Sequence, residues 1–280
     1  MSEEEREMVQ SWETSSAYWD KYRDLIAEMF APLTEALIEE ACIRPGHHVL
    51  DIGGGSGEPS LTIARLVRPS GSVMYTDPAA GMLRSAQAEA SRRGLTNIQF
   101  RQCPADQLPF DDNSFDAAVG RFSAMFFPDP LAGVRETLRV MRERGRIVFA
   151  VWAGEEVNPF FTTTLDVVKR MEESAEEEDD NAPDPFRFAE KGKLAEIMRE
   201  AGAEDIVERV FDFKIEAAIS FEQFWQLRTE MSETLRNTLG GLTRQRIEEI
   251  KREVAKVAAQ YFASGKMSFP ARTLMVSGVR

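Results

Sequence analysis

The stretch Val49–Asp77 limits what this chain can fold into more than any other. It reads Val-Leu-Asp-Ile-Gly-Gly-Gly-Ser-Gly-Glu-Pro-Ser, then a helix-like run, then Ser-Val-Met-Tyr-Thr-Asp. Val49–Ile52 is a short, mainly apolar run ending in glycines, the pattern of a strand buried in a parallel sheet. Gly53, Gly54, Gly55 and Gly57 permit positive φ and let a ligand come close to the backbone. Pro59 stands where a helix would begin, and a first helical turn tolerates proline. Leu61, Ala64 and Leu66/Val67 then recur at helical spacing. Ser72–Thr76 is a second apolar strand, and Asp77 closes it twenty residues after Gly57. Strand, glycine turn, helix, strand and acid form the βαβ nucleotide-binding arrangement.

Two ligand classes fit that arrangement. A dinucleotide would lay its pyrophosphate over the glycines. S-adenosylmethionine has no phosphate and carries an ammonium and a sulfonium. Asp51 discriminates between them, because it stands two residues before the first glycine at the carboxyl end of the strand. A carboxylate ~5 Å from one pyrophosphate charge, at an effective dielectric of ~20, repels it by ~3 kcal/mol and attracts an ammonium equally. The third glycine position of a dinucleotide fingerprint, counted from Gly55-x-Gly57, holds Ser60 instead. Both features favour the cationic ligand.

Asp51-x-Gly53-x-Gly55-x-Gly57 resembles the first motif of class I S-adenosylmethionine-dependent methyltransferases. The run from Phe115 to Trp152 resembles the ubiquinone/menaquinone-biosynthesis type of that superfamily, through Phe-Asp-Ala-Ala-Val-Gly-Arg-Phe-Ser-Ala-Met-Phe-Phe-Pro-Asp-Pro and Arg-Ile-Val-Phe-Ala-Val-Trp. The likeness is best over roughly 45–152 and looser in Phe186–Phe188 and the last strand. It implies a doubly wound, seven-stranded, mostly parallel α/β sheet of Rossmann-like type, in the order 3-2-1-4-5-7-6. S-adenosylmethionine would lie across the carboxyl ends of strands 1, 2 and 4. The implied cofactor residues are Asp51, Gly53, Gly55 and Gly57, Asp77 for the ribose hydroxyls, and Pro78 and Met82 as adenine walls. Relatives typically read Gly-Asp-Ala-Glu-x-Leu-Pro-Phe where this chain has Cys103-Pro104-Ala105-Asp106-Gln107-Leu108-Pro109-Phe110. Pro104 thus replaces the usual adenine acceptor. The Ala105 N–H remains, and Asp106 is either a substitute contact or a surface residue. Arg121 is placed with the cofactor group, as the partner of an acid such as Asp51, with a substrate anion as the alternative.

The rest of the chain reads as follows. Residues 8–40 are helical with a break at Pro32 and form an N-terminal cap (1–40), whose Tyr18 and Tyr22 carry polar tips suited to a substrate. His47 and His48, the only histidines, start the first strand, at the end opposite the glycines. Further strands are expected at Ile98–Gln102, Phe115–Gly120, Arg146–Trp152 and Ile206–Ile215, and finally at Phe269 with Thr273–Val279. Helices are expected at Asp129–Arg142 with Gly145 as the stop, from Asn158-Pro159 to about Met171, and at Lys191–Ala201. Glu172–Asp180 holds seven acids and reads as a solvated loop. Ser220–Gln223 resembles a capping box that opens one helix running towards Leu239. With Thr243–Ala263 it forms a helical lid at about 217–266, inserted in a core spanning 41–280. Met125, Phe126 and Trp225 are expected in an apolar acceptor pocket.

A net charge of −13 argues against a nucleic-acid or anionic-membrane surface. Cys42 and Cys103 lack metal-ligand spacing and read as reduced thiols of a cytoplasmic protein. No metal is expected. The acidic Ser2–Glu7 does not resemble a signal peptide, and no run approaches the ~20 apolar residues of a membrane span. The function expected is methyl transfer from S-adenosylmethionine to a small, hydrophobic metabolite. A quinone ring is a closer alternative within that chemistry. A nicotinamide-dependent dehydrogenase and a non-catalytic cofactor-binding protein are the alternatives from other classes. No general base is assigned.

Overall fold

The computed structural model describes residues 3–172, 183–263 and 265–280. Three helices come first: α1 (Glu3–Lys21), α2 (Arg23–Met29) and α3 (Ala31–Glu40). The chain bends at Phe30 rather than at Pro32, which sits in the first turn of α3, where its missing N–H is not needed. The nucleotide-binding unit follows as β1 (His48–Ile52), α4 (Ser60–Leu66) and β2 (Ser72–Asp77). Next come α5 (Ala80–Arg92), β3 (Ile98–Gln102), β4 (Phe115–Arg121), α6 (Pro130–Val140) and β5 (Met141–Trp152). The remaining elements are α7 (Pro159–Glu172), α8 (Lys193–Ala201), β6 (Glu204–Ala217), α9 (Phe221–Met231), α10 (Glu233–Gly240), α11 (Arg244–Ala258) and β7 (Met267–Val279). The acidic run falls beyond Glu172, outside the described residues.

Among the described residues the strands form one sheet in the order β3-β2-β1-β4-β5-β7-β6, as expected. β7 runs antiparallel to both β5 and β6, and the other pairs are parallel. Consecutive strands fan outward from β1 and β4, so the chain reverses direction between them. That reversal leaves a crevice at the carboxyl ends of Ile52, Asp77 and Arg121. One core cluster, with Leu33, Leu37, Leu61, Ile63 and Tyr75, lies between the sheet and α3–α5. A larger one, with Met125, Phe149, Met198, Phe224 and Phe269, fills the opposite face.

Two boundaries differ from the sequence reading. The helix before β5 ends at Val140, not at Arg142 with Gly145 as its stop, because Met141 already takes extended dihedrals (φ −78°, ψ 153°) and pairs with Phe115. Residues 142–145 then bulge out before pairing resumes at Arg146 opposite Ala117. The helix opened by the Ser220–Gln223 capping box stops at Met231, and Ser232 caps a new one by accepting from Leu235 N–H. A hydroxyl that satisfies the first turn of a following helix ends the preceding one.

The N-terminal helices are tied to the crevice. Glu13 on α1 accepts from Gly81 N–H at 2.6 Å and from Arg84 at 2.6 Å. A Cβ at Gly81 would collide with the Ser16 side chain of α1, so glycine permits this close approach. α1 also touches α9, where Lys21 and Tyr22 both reach Glu230. The helices α9–α11 sit in the connection between β6 and β7 and pack on α7 around Val167, Trp225, Leu235 and Ile250. No described helix is long and apolar enough to cross a membrane.

Asn158 ties down the end of β5. Its Nδ2 donates to Ala153, Gly154 and Arg272 carbonyls, each at 3.0 Å, and its Oδ1 accepts from Arg272 N–H at 2.9 Å. Asn158→Ala strands these backbone groups in a site that is 0% exposed. We expect denaturant unfolding to show a loss of about 2–4 kcal/mol, summed over bonds worth ~1 kcal/mol each. A loss under ~0.5 kcal/mol would contradict that role.

Candidate active site

The glycine turn is shaped by two carboxylates. Asp51, at the end of β1, is 0% exposed. Its Oδ2 accepts from the Ser60 hydroxyl at 2.6 Å and from the Ser60 N–H at 3.1 Å. The two residues that spoke against a dinucleotide are therefore partners across the turn. Asp77, at the end of β2, accepts from Gly55 N–H at 3.0 Å and from Ala79 N–H at 2.9 Å. Gly53 has φ +69° and Gly55 φ +55°. A Cβ on Gly53 would lie 2.6 Å from Ser123 Cβ, whereas one on Gly55 would stand in open space. Gly57 (φ +120°) serves the start of α4, where a Cβ would meet Leu61 at 2.7 Å.

Burial raises both acids. Asp51 is pushed up to about 7, opposed by the Ser60 hydrogen bonds and the positive charge of Arg121. Asp77 is pushed up to about 6, opposed by the Ala79 and Gly55 N–H groups. Asp51 Oδ1 and the Ser123 hydroxyl are buried without a hydrogen-bond partner.

A cavity of about 600 Å³ opens on this turn, within the ~300–1,000 Å³ usual for small-molecule sites. Of the sequence candidates, Gly53, Gly55, Asp77, Pro78, Met82, Ala105, Asp106, Arg121 and Phe126 line it. Asp51 and Gly57 do not. Asp51 lies behind the turn, bonded to Ser60, and does not line the cavity. Arg121 donates to Thr34 Oγ1 at 2.8 Å, and no carboxylate lies within ion-pair distance of it among the described residues. Asp51 and Glu58 influence it only as charges further off. The acid pair expected there is a hydroxyl contact instead.

Four expected acceptor residues lie elsewhere. The Tyr22 hydroxyl donates to Glu230 at 2.8 Å, so its polar tip is used between helices, and the Tyr18 ring lies under Arg236 at 4.9 Å. Met125 is fully buried in the main core. Trp225 packs among Val167, Leu235 and Ile250. The lining on this side comes from Trp12, Trp19, Phe30, Phe122, Trp152 and Phe161. Phe122 stacks on Trp152 with centroids 4.1 Å apart, and Trp152 meets Phe161 edge-on at 4.8 Å. Trp12, Trp19 and Ile26 recur every seven residues, and that apolar stripe was the available signal for the cavity-facing side. Arg228 was also missed, although it stands four residues after Phe224 on a buried helix face. His48 lies at the far end of β1, where Nδ1 meets Ser72 Oγ at 2.8 Å.

A model of the methyltransferase domain matches residues 50–149. An uncharacterized protein of Mycobacterium tuberculosis is 37% identical over 144 residues, which cover 51% of this chain and 51% of the relative. The chain thus spans about half the length of such curated relatives. The ubiquinone/menaquinone biosynthesis C-methyltransferase UbiE of Hahella chejuensis is 32% identical over 169 residues, covering 60% of this chain and 68% of that enzyme. The chain belongs to the class I S-adenosylmethionine-dependent methyltransferases. The Bacillus subtilis YcgJ protein shares the fold, with a TM-score of 0.56 at 20% identity over 88% of this chain and 97% of that one. The dehydrogenase alternative falls with this membership.

The cofactor of this methyltransferase family is S-adenosylmethionine, and the site fits it. The cavity comes up to the Gly55 backbone, where a Cβ would meet nothing within 4 Å and would stand in the space a ligand needs. The Ser123 hydroxyl, on a residue that lines the cavity, is buried without a partner, and a buried polar group of this kind calls for one. Each Asp77 oxygen accepts one backbone bond, which leaves further lone pairs for a vicinal diol.

Both acids bear on pH. Each titrates above a free carboxylate, near 3.9. Between about pH 4 and 7 the folded, ligand-free chain therefore holds more protons than the unfolded one, and these acids make stability fall as pH rises through that window. Donors and positive charge from the cofactor lower both pKa values again, so binding near pH 6 releases protons. Calorimetry at pH 6 in buffers of different ionisation enthalpy should show that release, with little at pH 8.5. Asp77→Asn should reduce it and weaken binding by about 1–3 kcal/mol. Buffer-independent heats at pH 6 would contradict the assignment.

Proposed function

We propose that this chain transfers the methyl group of S-adenosylmethionine to a small, hydrophobic acceptor. What carries this reading is that one cavity is lined both by the glycine turn with Asp77 and by a row of aromatic rings. When bound, the cofactor supplies a methyl already activated by its sulfonium. In this reading Asp77 accepts from the ribose hydroxyls, Pro78 and Met82 flank the adenine, and the Ala105 N–H with Asp106 meets its edge. The Gly53–Gly55 backbone and Ser123 receive the methionine end, with the Asp51 charge behind them. Phe122, Trp152 and Phe161 exclude water and hold the acceptor for in-line attack. Orientation of two reactants in a dry site supplies several kcal/mol without a covalent intermediate. The helices of 1–40 form a cap, and those of about 217–266 a lid, joined through Glu230.

A second reading, consistent with the likeness to the UbiE relative, makes the acceptor a quinone ring methylated on carbon. Both readings take the acceptor to be other than a nucleic acid, which the net charge of −13 supports. Both readings keep the protein in a reducing cytoplasm, which the lack of metal-ligand or disulfide-framework spacing in Cys42 and Cys103 supports.

The test is transfer of labelled methyl from S-adenosylmethionine into a metabolite extract, and separately into a demethylated quinol in detergent. Label should appear in a small product that partitions into organic solvent, and S-adenosylhomocysteine should suppress it. Tight cofactor binding with no transfer to either would contradict the enzymatic reading.

A further inference from the structure

Arg228 brings a buried charge to the acceptor end of the cavity, and no acid answers it. It is 7% exposed and lines the cavity beside Phe160, Phe161 and Leu227. Its guanidinium carbon lies 5.0 Å from the ring centroids of both Phe160 and Phe161. Nη2 donates a long 3.4 Å bond to the Phe161 carbonyl, and Nε has no partner. Among the described residues no carboxylate stands within ion-pair distance of it. Burial alone sets its pKa, lowering it to about 10, with no acid pulling it back up. Arg121, which lines the same cavity and also has no ion pair among the described residues, differs in donating to the Thr34 hydroxyl at 2.8 Å and in lying within the field of Asp51 and Glu58. Arg23 and Arg93 pair with Glu89, and Arg246 pairs with Glu172.

A desolvated guanidinium is expensive to keep unless an anion or several acceptors meet it. Two ring faces offset only part of that cost. Arginine is also the side chain best shaped to meet a carboxylate, through parallel N–H donors. From Arg228 the rings run in series, Phe161 to Trp152 to Phe122, and Phe122 adjoins Ser123 at the glycine turn.

We propose that Arg228 is the anion seat of the acceptor pocket, and that the acceptor is an apolar, ring-containing molecule bearing a carboxylate. The carboxylate pairs with the guanidinium, and the apolar body lies along Phe161, Trp152 and Phe122. This rests on reading the aromatic half of the cavity as the acceptor site.

The test uses 1-naphthoate and its neutral isostere 1-naphthamide as probes. Each is titrated calorimetrically into the protein saturated with S-adenosylhomocysteine, whose own affinity is measured in the same samples. The wild-type protein should bind the acid at least about ten-fold more tightly than the amide, the worth of one charge-assisted hydrogen bond. Arg228→Gln should abolish that preference while leaving S-adenosylhomocysteine affinity within about two-fold, which also reports correct folding. Arg228→Lys, which keeps the charge, should retain part of it. Equal affinity for the two probes in the wild-type protein, undetectable binding of both included, would overturn the proposal. So would a preference that survives Arg228→Gln. Loss of S-adenosylhomocysteine binding in the wild-type protein would remove the methyltransferase reading by itself, and a preference for the acid would still support the anion seat.

Discussion

The hydrogen bond between Asp51 and Ser60 is the constraint on which the site depends. It joins the end of β1 to the first residue of α4, so the four glycine positions between them must turn within a fixed span. Asp77 adds a second constraint by accepting from the Gly55 N–H inside that turn. Both carboxylates are buried and both are raised above their ordinary range. The fold thus holds ionisable groups in a place that disfavours their charge, an arrangement typical of sites that await a complementary ligand. It also explains why glycine is needed here. The backbone takes positive φ at Gly53 and Gly55 and passes close to Ser123 and Tyr75.

The second half of the site depends on how remote segments converge. α1 reaches the crevice because Gly81 lets it approach and Glu13 accepts from the Gly81 N–H in the first turn of α5. The same helix is fastened to α9 through Glu230. Cofactor side and acceptor side therefore share one structural neighbour. Phe122 sits at the junction with φ +61°, an uncommon backbone state for a bulky residue. Its N–H bond to Ala150 and its stack on Trp152 hold it there. Strained residues of this kind concentrate where a ligand has to be positioned.

The central strands β1, β2 and β4 were legible in the sequence because they are buried on both faces and read as short apolar runs, and the edge strand β6 because its residues alternate. Asp51, the glycines and Asp77 were legible because their spacing is set by the backbone of one βαβ unit. The breaks at Val140 and Ser232 were not. At Val140 strand pairing with Phe115 overrides a helical pattern that continues in the sequence. At Ser232 a capping hydroxyl lies inside an otherwise continuous stripe. The acceptor side was the least legible part. Tyr18 and Tyr22 drew attention by their polar tips, but the Tyr22 hydroxyl bonds Glu230 and the Tyr18 ring packs under Arg236. Trp12 and Trp19, one heptad apart, face the cavity as part of what looks like an ordinary core stripe. Which face of α1 meets the crevice is decided by contacts with α5 and α9, and those are distant in sequence. Arg228 is similar: nothing local says that a charge four residues from Phe224 stays unanswered.

The most direct measurement is a crystal structure of the chain grown with S-adenosylhomocysteine. The ribose hydroxyls should lie within hydrogen-bonding distance of the Asp77 carboxylate. The methionine end should rest over Gly53–Gly55 beside Ser123, with Asp51 still bonded to Ser60 behind the turn. A nucleoside seated away from Asp77, or a glycine turn left empty at saturating ligand, would contradict it.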